Sequence, residues 1–311
     1  MPAPVLTRRI GGGTEARLSS DEQNSGPMVP RIQLGSRLRN LRQSKGVSRE
    51  EAGYAIRASE SKISRMELGR VGFKERDVTD LLRLYGVDEE EEHRRLLALA
   101  RQANRPGWWH AYSDVLSSSY QSYLDLEQSA ELIRTYELQF VPGLLQTDAY
   151  ARAVITLGYG SEKAEDVDRR ADLRMARKRL LSRPEPPRLW AVIDEAVLRR
   201  PIGGLQVLRD QIEALLHAVT LPNVRLQVVR FSSGGHAAAG GAFTILRFPH
   251  EDLSDVVYVE HLTGSLYLDK SEDVDQYAAA LGRLFIQAEQ PNDTEEILRR
   301  ALERLDSGTL D

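Results

Sequence analysis

The sequence predicts an α+β chain: an all-α N-terminal unit of five helices, then a larger mixed α/β unit with a small sheet. Two observations predict it, and the distribution of charge marks where the two units part. Charge is divided unevenly along the 311 residues: residues 31–87 carry a net +6 and residues 88–311 a net −10, within an overall −4. Helix caps and glycine stops crowd the stretch from 32 to 87. Runs with strand character start only at residue 188.

Composition narrows the function classes. The chain has no cysteine, which excludes disulfides, thiolate metal sites and cysteine nucleophiles. Its longest segment free of Asp, Glu, Lys and Arg, residues 231–246, is broken by four glycines. That falls short of the ~20 apolar residues of a membrane span. No apolar run follows Arg8 and Arg9, which argues against a secretory signal. A cytoplasmic protein without membrane contact is expected. A basic segment on an acidic body suggests one polyanion-binding module on a domain that repels DNA.

Residues 1–30 read as a disordered tail, with Gly11-Gly12-Gly13 and a polar, proline-containing run behind it. The first helix spans 34–44, with Leu34, Leu38 and Leu41 on one face and Gly46 at its C-terminal cap. Ser48 caps a second helix over 49–55, and Glu51 completes a capping box. A tight turn at 56–58 leads to Ser59, the cap of a third helix over 60–68 that Gly69 ends. Val78, Leu81, Leu82 and Tyr85 mark the next helix, before Gly86. A helix from 89 to 102 starts acidic and ends basic, which matches the helix dipole. As residues 88–105 it reads as a bridge, stopped by Arg105-Pro106-Gly107.

Two short capped helices joined by a tight turn can lay the second helix into a DNA major groove, which is about 12 Å wide. Residues 31–87 are therefore expected to be a helix-turn-helix DNA-binding domain. Ile63 and Met66 point inward, which leaves Glu60, Ser61, Lys62 and Arg65 to read base edges. Ser48, Arg49, Ser59, Arg70 and Lys74 are the expected phosphate contacts. One such domain covers half an operator, so a homodimer on a palindromic double-stranded operator is expected, with the protein associated with the nucleoid.

Residues 34–87 are similar to the Cro/lambda-repressor-like, or XRE-type, helix-turn-helix family. The matching residues are Leu38-Arg39-x-Leu41-Arg42, Gly46-Val47-Ser48-Arg49-Glu50-Glu51-Ala52 and Ser59-x-Ser61-x-Ile63-Ser64-Arg65-Met66-Glu67-x-Gly69. The resemblance implies an ion pair between Arg42 and Glu67. The family usually carries a bulkier apolar residue where Gly53 stands, so a weaker second helix is expected.

Residues 106–290 read as an effector- or partner-binding and dimerisation domain, and residues 291–311 as a C-terminal helix and tail. Helical periodicity runs over 119–136, with further helices over 147–157, 161–181, 204–218, 273–289 and 294–305. Strands are predicted over 188–193, 224–231, 242–248 and 256–260. Trp108 and Trp109 could stack on a ligand or anchor the core. Arg152 could bind an anion or pair with a buried acid such as Glu127. The glycine-rich loop around His236 could cover a pocket or make a hairpin turn. His236, Glu260 and His261 lack the spacing of a metal motif, no nucleophile elbow is present, and no cofactor or catalysis is expected.

This second unit resembles an uncharacterised domain of actinobacteria. The residues are Pro106-Gly107-Trp108-Trp109, Tyr123-x-x-x-Glu127, Val141-Pro142-Gly143-Leu144-Leu145-Gln146-Thr147-x-x-Tyr150-Ala151-Arg152-Ala153 and Gly241-Ala242-Phe243-Thr244-x-Leu246-x-Phe248. That domain typically follows an XRE-type domain in sets of paralogous regulators, described as antitoxin-like and often encoded beside a small partner protein. The resemblance implies a sensor-like domain that takes a small-molecule effector or a small partner protein, and no reaction.

Overall fold

The structure, a computed structural model, describes residues 28–69, 71–158, 163–238, 240–249 and 253–307. Most of the expected tail, residues 1–27, lies outside them. The N-terminal unit consists of α1 (Met28–Ser44), α2 (Arg49–Ala55), α3 (Glu60–Glu67), α4 (Glu75–Leu84) and α5 (Glu90–Ala103).

Two boundaries differ from expectation. Helix α1 starts at Met28, so Met28 to Pro30 are helical rather than tail. Pro30 sits in the first turn, where its missing N–H breaks no helical hydrogen bond. Val29 gives this turn a reason to form, because it is buried in the core of the C-terminal unit beside Trp109 and Leu124. Helix α5 is no bridge. Leu96, Ala100 and Ala103 share one buried cluster with Leu34, Leu38, Ile63 and Leu81. Arg37 pairs with Glu92 and Arg101 with Glu75, which ties α5 to α1 and α4. It is the fifth helix of the domain.

The C-terminal unit opens with a 3-10 run, Trp108–Val115. It continues with α6 (Ser118–Ser129), β1 (Leu132–Glu137), α7 (Asp148–Gly158), α8 (Ala164–Lys178), β2 (Arg188–Asp194), α9 (Leu205–Ala218) and β3 (Val224–Val229). Then come β4 (Phe243–Arg247), β5 (Val256–His261), β6 (Gly264–Leu268), α10 (Ser271–Gln287) and α11 (Thr294–Asp306). Among the described residues the strands form one sheet in the order β3-β2-β1-β4-β5-β6. Strands β1, β2 and β3 run parallel, joined by helices, while β4, β5 and β6 are antiparallel.

The helix expected over 119–136 stops at Ser129, and its last third is β1 in the middle of the sheet. Ile133, Thr135 and Tyr136 are β-branched or aromatic and favour a pleated surface over a helix. The loop around His236 is not a hairpin turn either: β4 pairs with β1, and β3 lies at the far edge beyond β2.

Helix α10 covers one face of the sheet, where Val274, Leu281 and Leu284 meet Tyr136, Val192, Ile245 and Val257. Against the other face, Leu124 of α6, Ile212 of α9 and Leu298 of α11 meet Ile133, Ala191 and Leu226. Among the described residues no helix is long and apolar enough to cross a membrane.

Candidate nucleic-acid interface

Local caps set the two helices of the motif. Ser48 Oγ accepts the Glu51 N–H at 3.1 Å and Glu51 Oε2 accepts the Ser48 N–H at 2.7 Å, a complete capping box. Ser59 Oγ accepts the Lys62 N–H at 3.3 Å and starts α3. Between them the chain turns through Arg57, which holds a left-handed φ of 55°. The turn draws Ala58 onto the Gly53 carbonyl with a 2.8 Å hydrogen bond. A Cβ at Gly53 would lie 2.7 Å from the Ala58 oxygen. The larger residue usual in the family has no room here, and the helix propensity lost at Gly53 is offset by this close approach. Gly35 does the same for α1, where a Cβ would lie 2.8 Å from the Glu67 carbonyl oxygen of α3.

Helix α3 buries Ile63 and Met66 at 1% exposure each, which fixes its rotation. Glu60, Ser61 and Arg65 then face outward, as expected. Lys62 does not join them. Its Nζ reaches back to Asp77 Oδ2 at 2.7 Å, so it braces α3 against α4. The helix geometry explains this: Lys62 adjoins Ile63 on the edge of the buried stripe, and Asp77 lies in the first turn of the neighbouring helix.

Behind α3, Arg42 aims Nε and Nη2 at the two carboxylate oxygens of Glu67, and its Nη1 donates to the Val47 carbonyl at 2.8 Å. Arg49 Nε also donates to Glu67 Oε2, at 3.2 Å. Arg49, expected as a phosphate contact, is thus the third member of this charge cluster. The hydrogen bond to Glu67 holds the Arg42 guanidinium above its usual pKa against the cost of burial. Burial, and then the Glu67 charge, push the nearby Tyr85 phenol up.

Ser48 and Ser59 are exposed, with their hydroxyls engaged as caps. Lys74 is exposed just ahead of α4. Arg70 lies outside the described residues. Two side chains escaped the sequence reading. Tyr54, 88% exposed, and Arg57 line a shallow depression with Ser59 at the start of α3. The available signal was a basic residue inside the turn itself.

The effector candidates scatter. Trp109 is a core anchor: it is 2% exposed, and its indole N–H donates to Asp125 Oδ1 at 2.8 Å. Trp108 is 39% exposed and opens onto a cleft. Arg152 pairs with Asp148 and Asp168 at the surface of α7 and α8, not with Glu127. His236 Nε2 sits 3.0 Å from the Tyr136 hydroxyl, and its Nδ1 accepts the Ala238 N–H. It fastens its loop to β1. Glu260 and His261 stand exposed at the end of β5, and among the described residues no three such side chains gather as a metal site.

The partner of Glu127 is Arg177 of α8, a residue not singled out from sequence. Both are buried, Tyr123 donates to Glu127 Oε1 at 2.8 Å, and Arg177 Nη1 donates to the Tyr120 hydroxyl at 2.9 Å. Burial opposes the Arg177 charge, but Glu127 and Tyr120 outweigh it and keep the guanidinium well above its usual pKa. The spacing of Tyr123 and Glu127 hinted at this cluster. Arg177 was hidden among the other basic residues of α8.

Residues 33–96 match a family described as helix-turn-helix domain, which reaches into α5 as the packing does. Residues 120–300 match a family described as domain of unknown function DUF5753. Neither a curated protein nor a solved structure matches the chain. The chain carries a DNA-binding helix-turn-helix domain of the kind found in transcription regulators, and it belongs to the DUF5753 family.

Proposed function

We propose that this protein is a sequence-specific transcriptional regulator that grips a palindromic operator as a homodimer in the cytoplasm. One observation carries the reading. Helix α3 presents Glu60, Ser61 and Arg65 outward while the buried Glu67 at its end is clamped by Arg42 and Arg49. A recognition helix needs both properties: polar side chains aimed at base edges and a fixed orientation behind them. Arg65 reads a guanine, Glu60 a cytosine amino group, and Lys74 with Arg57 and the amides at the start of α3 hold phosphates.

The C-terminal domain acts as a receiver of a signal and not as a catalyst. Its buried Tyr123, Glu127 and Arg177 are engaged with one another. The test is binding at about 150 mM salt to sites recovered by a genome-wide footprint. A regulator binds the recovered palindrome at least a hundredfold more tightly than a scrambled duplex. Equal affinity for the two sinks the reading.

A further inference from the structure

The C-terminal domain contains a cleft of about 280 Å³ between the 3-10 run, α6 and α8. We propose that it binds a small organic anion with a flat apolar body. The proposal rests on the reading of this domain as a receiver and supplies the chemistry of the ligand.

The walls divide into an apolar part and a cationic part. Trp108 offers an indole at the mouth, and Leu124 and Leu180 line the interior. An exposed indole beside aliphatic side chains suits a planar ring. Three arginines complete the lining: Arg177, Arg179 and Arg183. Arg177 is neutralised by Glu127, the one acid among the described lining residues. Arg183 donates Nε to the Glu185 carbonyl and Nη1 to the Gln128 carbonyl. Those contacts use two of its five N–H donors, and among the described residues no carboxylate pairs with it. Arg179 is exposed at the rim. The lining therefore carries two excess positive charges inside a region whose net charge is −10.

Such a local inversion of sign draws in an anion and repels a cation. A guanidinium beside apolar walls pairs best with a carboxylate or similar oxyanion. The volume lies just under the usual range of small-molecule sites, about 300–1,000 Å³, which limits the ligand to roughly a two-ring body.

The cleft also adjoins the joint between the two domains. Gln128 lines it and donates to Asp125 Oδ1 at 3.1 Å, the same oxygen that receives the Trp109 indole. Trp109 and Leu124 share one buried cluster with Val29 of α1. A ligand that reseats Trp108 or Gln128 acts next to the side chains, Trp109 and Asp125, that lead to the DNA-binding domain.

Titration calorimetry on the full chain without DNA tests the proposal with three probes: 1-naphthoate, neutral 1-naphthylmethanol and inorganic phosphate. The expected result is one naphthoate per chain, bound at least tenfold more tightly than either control. Arg179→Glu should weaken naphthoate at least tenfold with the melting temperature of the free protein unchanged, since the residue is exposed. Ala176→Trp, which fills the cleft and keeps its charges, should abolish binding. Equal affinity for naphthoate and the alcohol overturns the proposal. So does naphthoate binding that neither variant affects, and so does a cleft that takes an acidic peptide and no naphthoate. Operator binding measured on the same preparations separates the two readings. Intact operator specificity without naphthoate binding removes the cleft proposal alone. Naphthoate binding without operator specificity removes the regulator reading.

Discussion

Arg42 and Glu67, 25 residues apart in the chain, meet directly behind the recognition helix, with side chains 9% and 2% exposed. Two guanidinium nitrogens face two carboxylate oxygens, and the geometry fixes where α3 ends relative to α1. Losing one member of a buried pair leaves a charge without compensation, at a cost of about 3–5 kcal/mol. Glu67→Ala should therefore lower the unfolding free energy by about that much in urea denaturation. Arg42→Met together with Glu67→Leu should recover most of the loss. A melting curve of Glu67→Ala that superimposes on the wild type would show that the pair does not hold α3.

Gly53→Ala tests a sign. Helix propensity alone makes alanine better than glycine by up to about 1 kcal/mol. The 2.7 Å approach to the Ala58 oxygen predicts the opposite, because a backbone atom cannot step aside cheaply. The melting temperature should fall, by a few degrees for a loss of about 1 kcal/mol. A rise would mean that the turn between α2 and α3 relaxes freely.

Asp125 sets a pH dependence. Burial pushes its carboxyl up to about 7, against the hydrogen bond from Trp109 and the charge of Arg31. The folded state thus holds the proton more tightly than the unfolded chain does. Its contribution to stability is complete below about pH 4 and is lost as pH rises through about 7. Asp125→Asn keeps an oxygen to accept from Trp109 and carries no charge. The variant should be more stable than the wild type by roughly 2–4 kcal/mol at pH 8.5, with the gap closing toward pH 4. Denaturant midpoints across that range check it, and parallel curves for the two proteins would refute it.

Arg65 and Lys74 should separate base reading from phosphate holding. Arg65→Ala should cost about 1–3 kcal/mol on the operator and relax the preference at one base pair. Lys74→Ala should weaken all duplexes alike and lower the salt slope by about 1. Binding isotherms on operator variants at several salt concentrations distinguish the two. Indistinguishable behaviour would undo the assignment of roles.

The helix-turn-helix was legible in the sequence because its signals are local. Ser48, Glu51 and Ser59 lie within three residues of the groups they cap, and Ile63 with Met66 sets the face of α3. What escaped depends on partners distant in the chain. Lys62 looked outward until Asp77 claimed it, and Arg49 looked available until Glu67 did. Strand β1 was hidden because it is covered on both faces, which removes the alternation that marks a strand. Helix α5 looked like a bridge because its charged ends drew attention from Leu96 and Ala100. Of the two tryptophans, Trp108 lies at a cleft and Trp109 in the core, since an exposed indole and a buried one read alike in sequence.

Val29 has a mechanical consequence. One end of α1 is seated in the C-terminal core, and six residues on, about 9 Å along the axis, Gly35 rests on the backbone of α3. A helix is stiff over so short a span. The two domains therefore share a short stiff arm, and a shift of Val29 in the C-terminal core is carried along α1 toward the recognition helix.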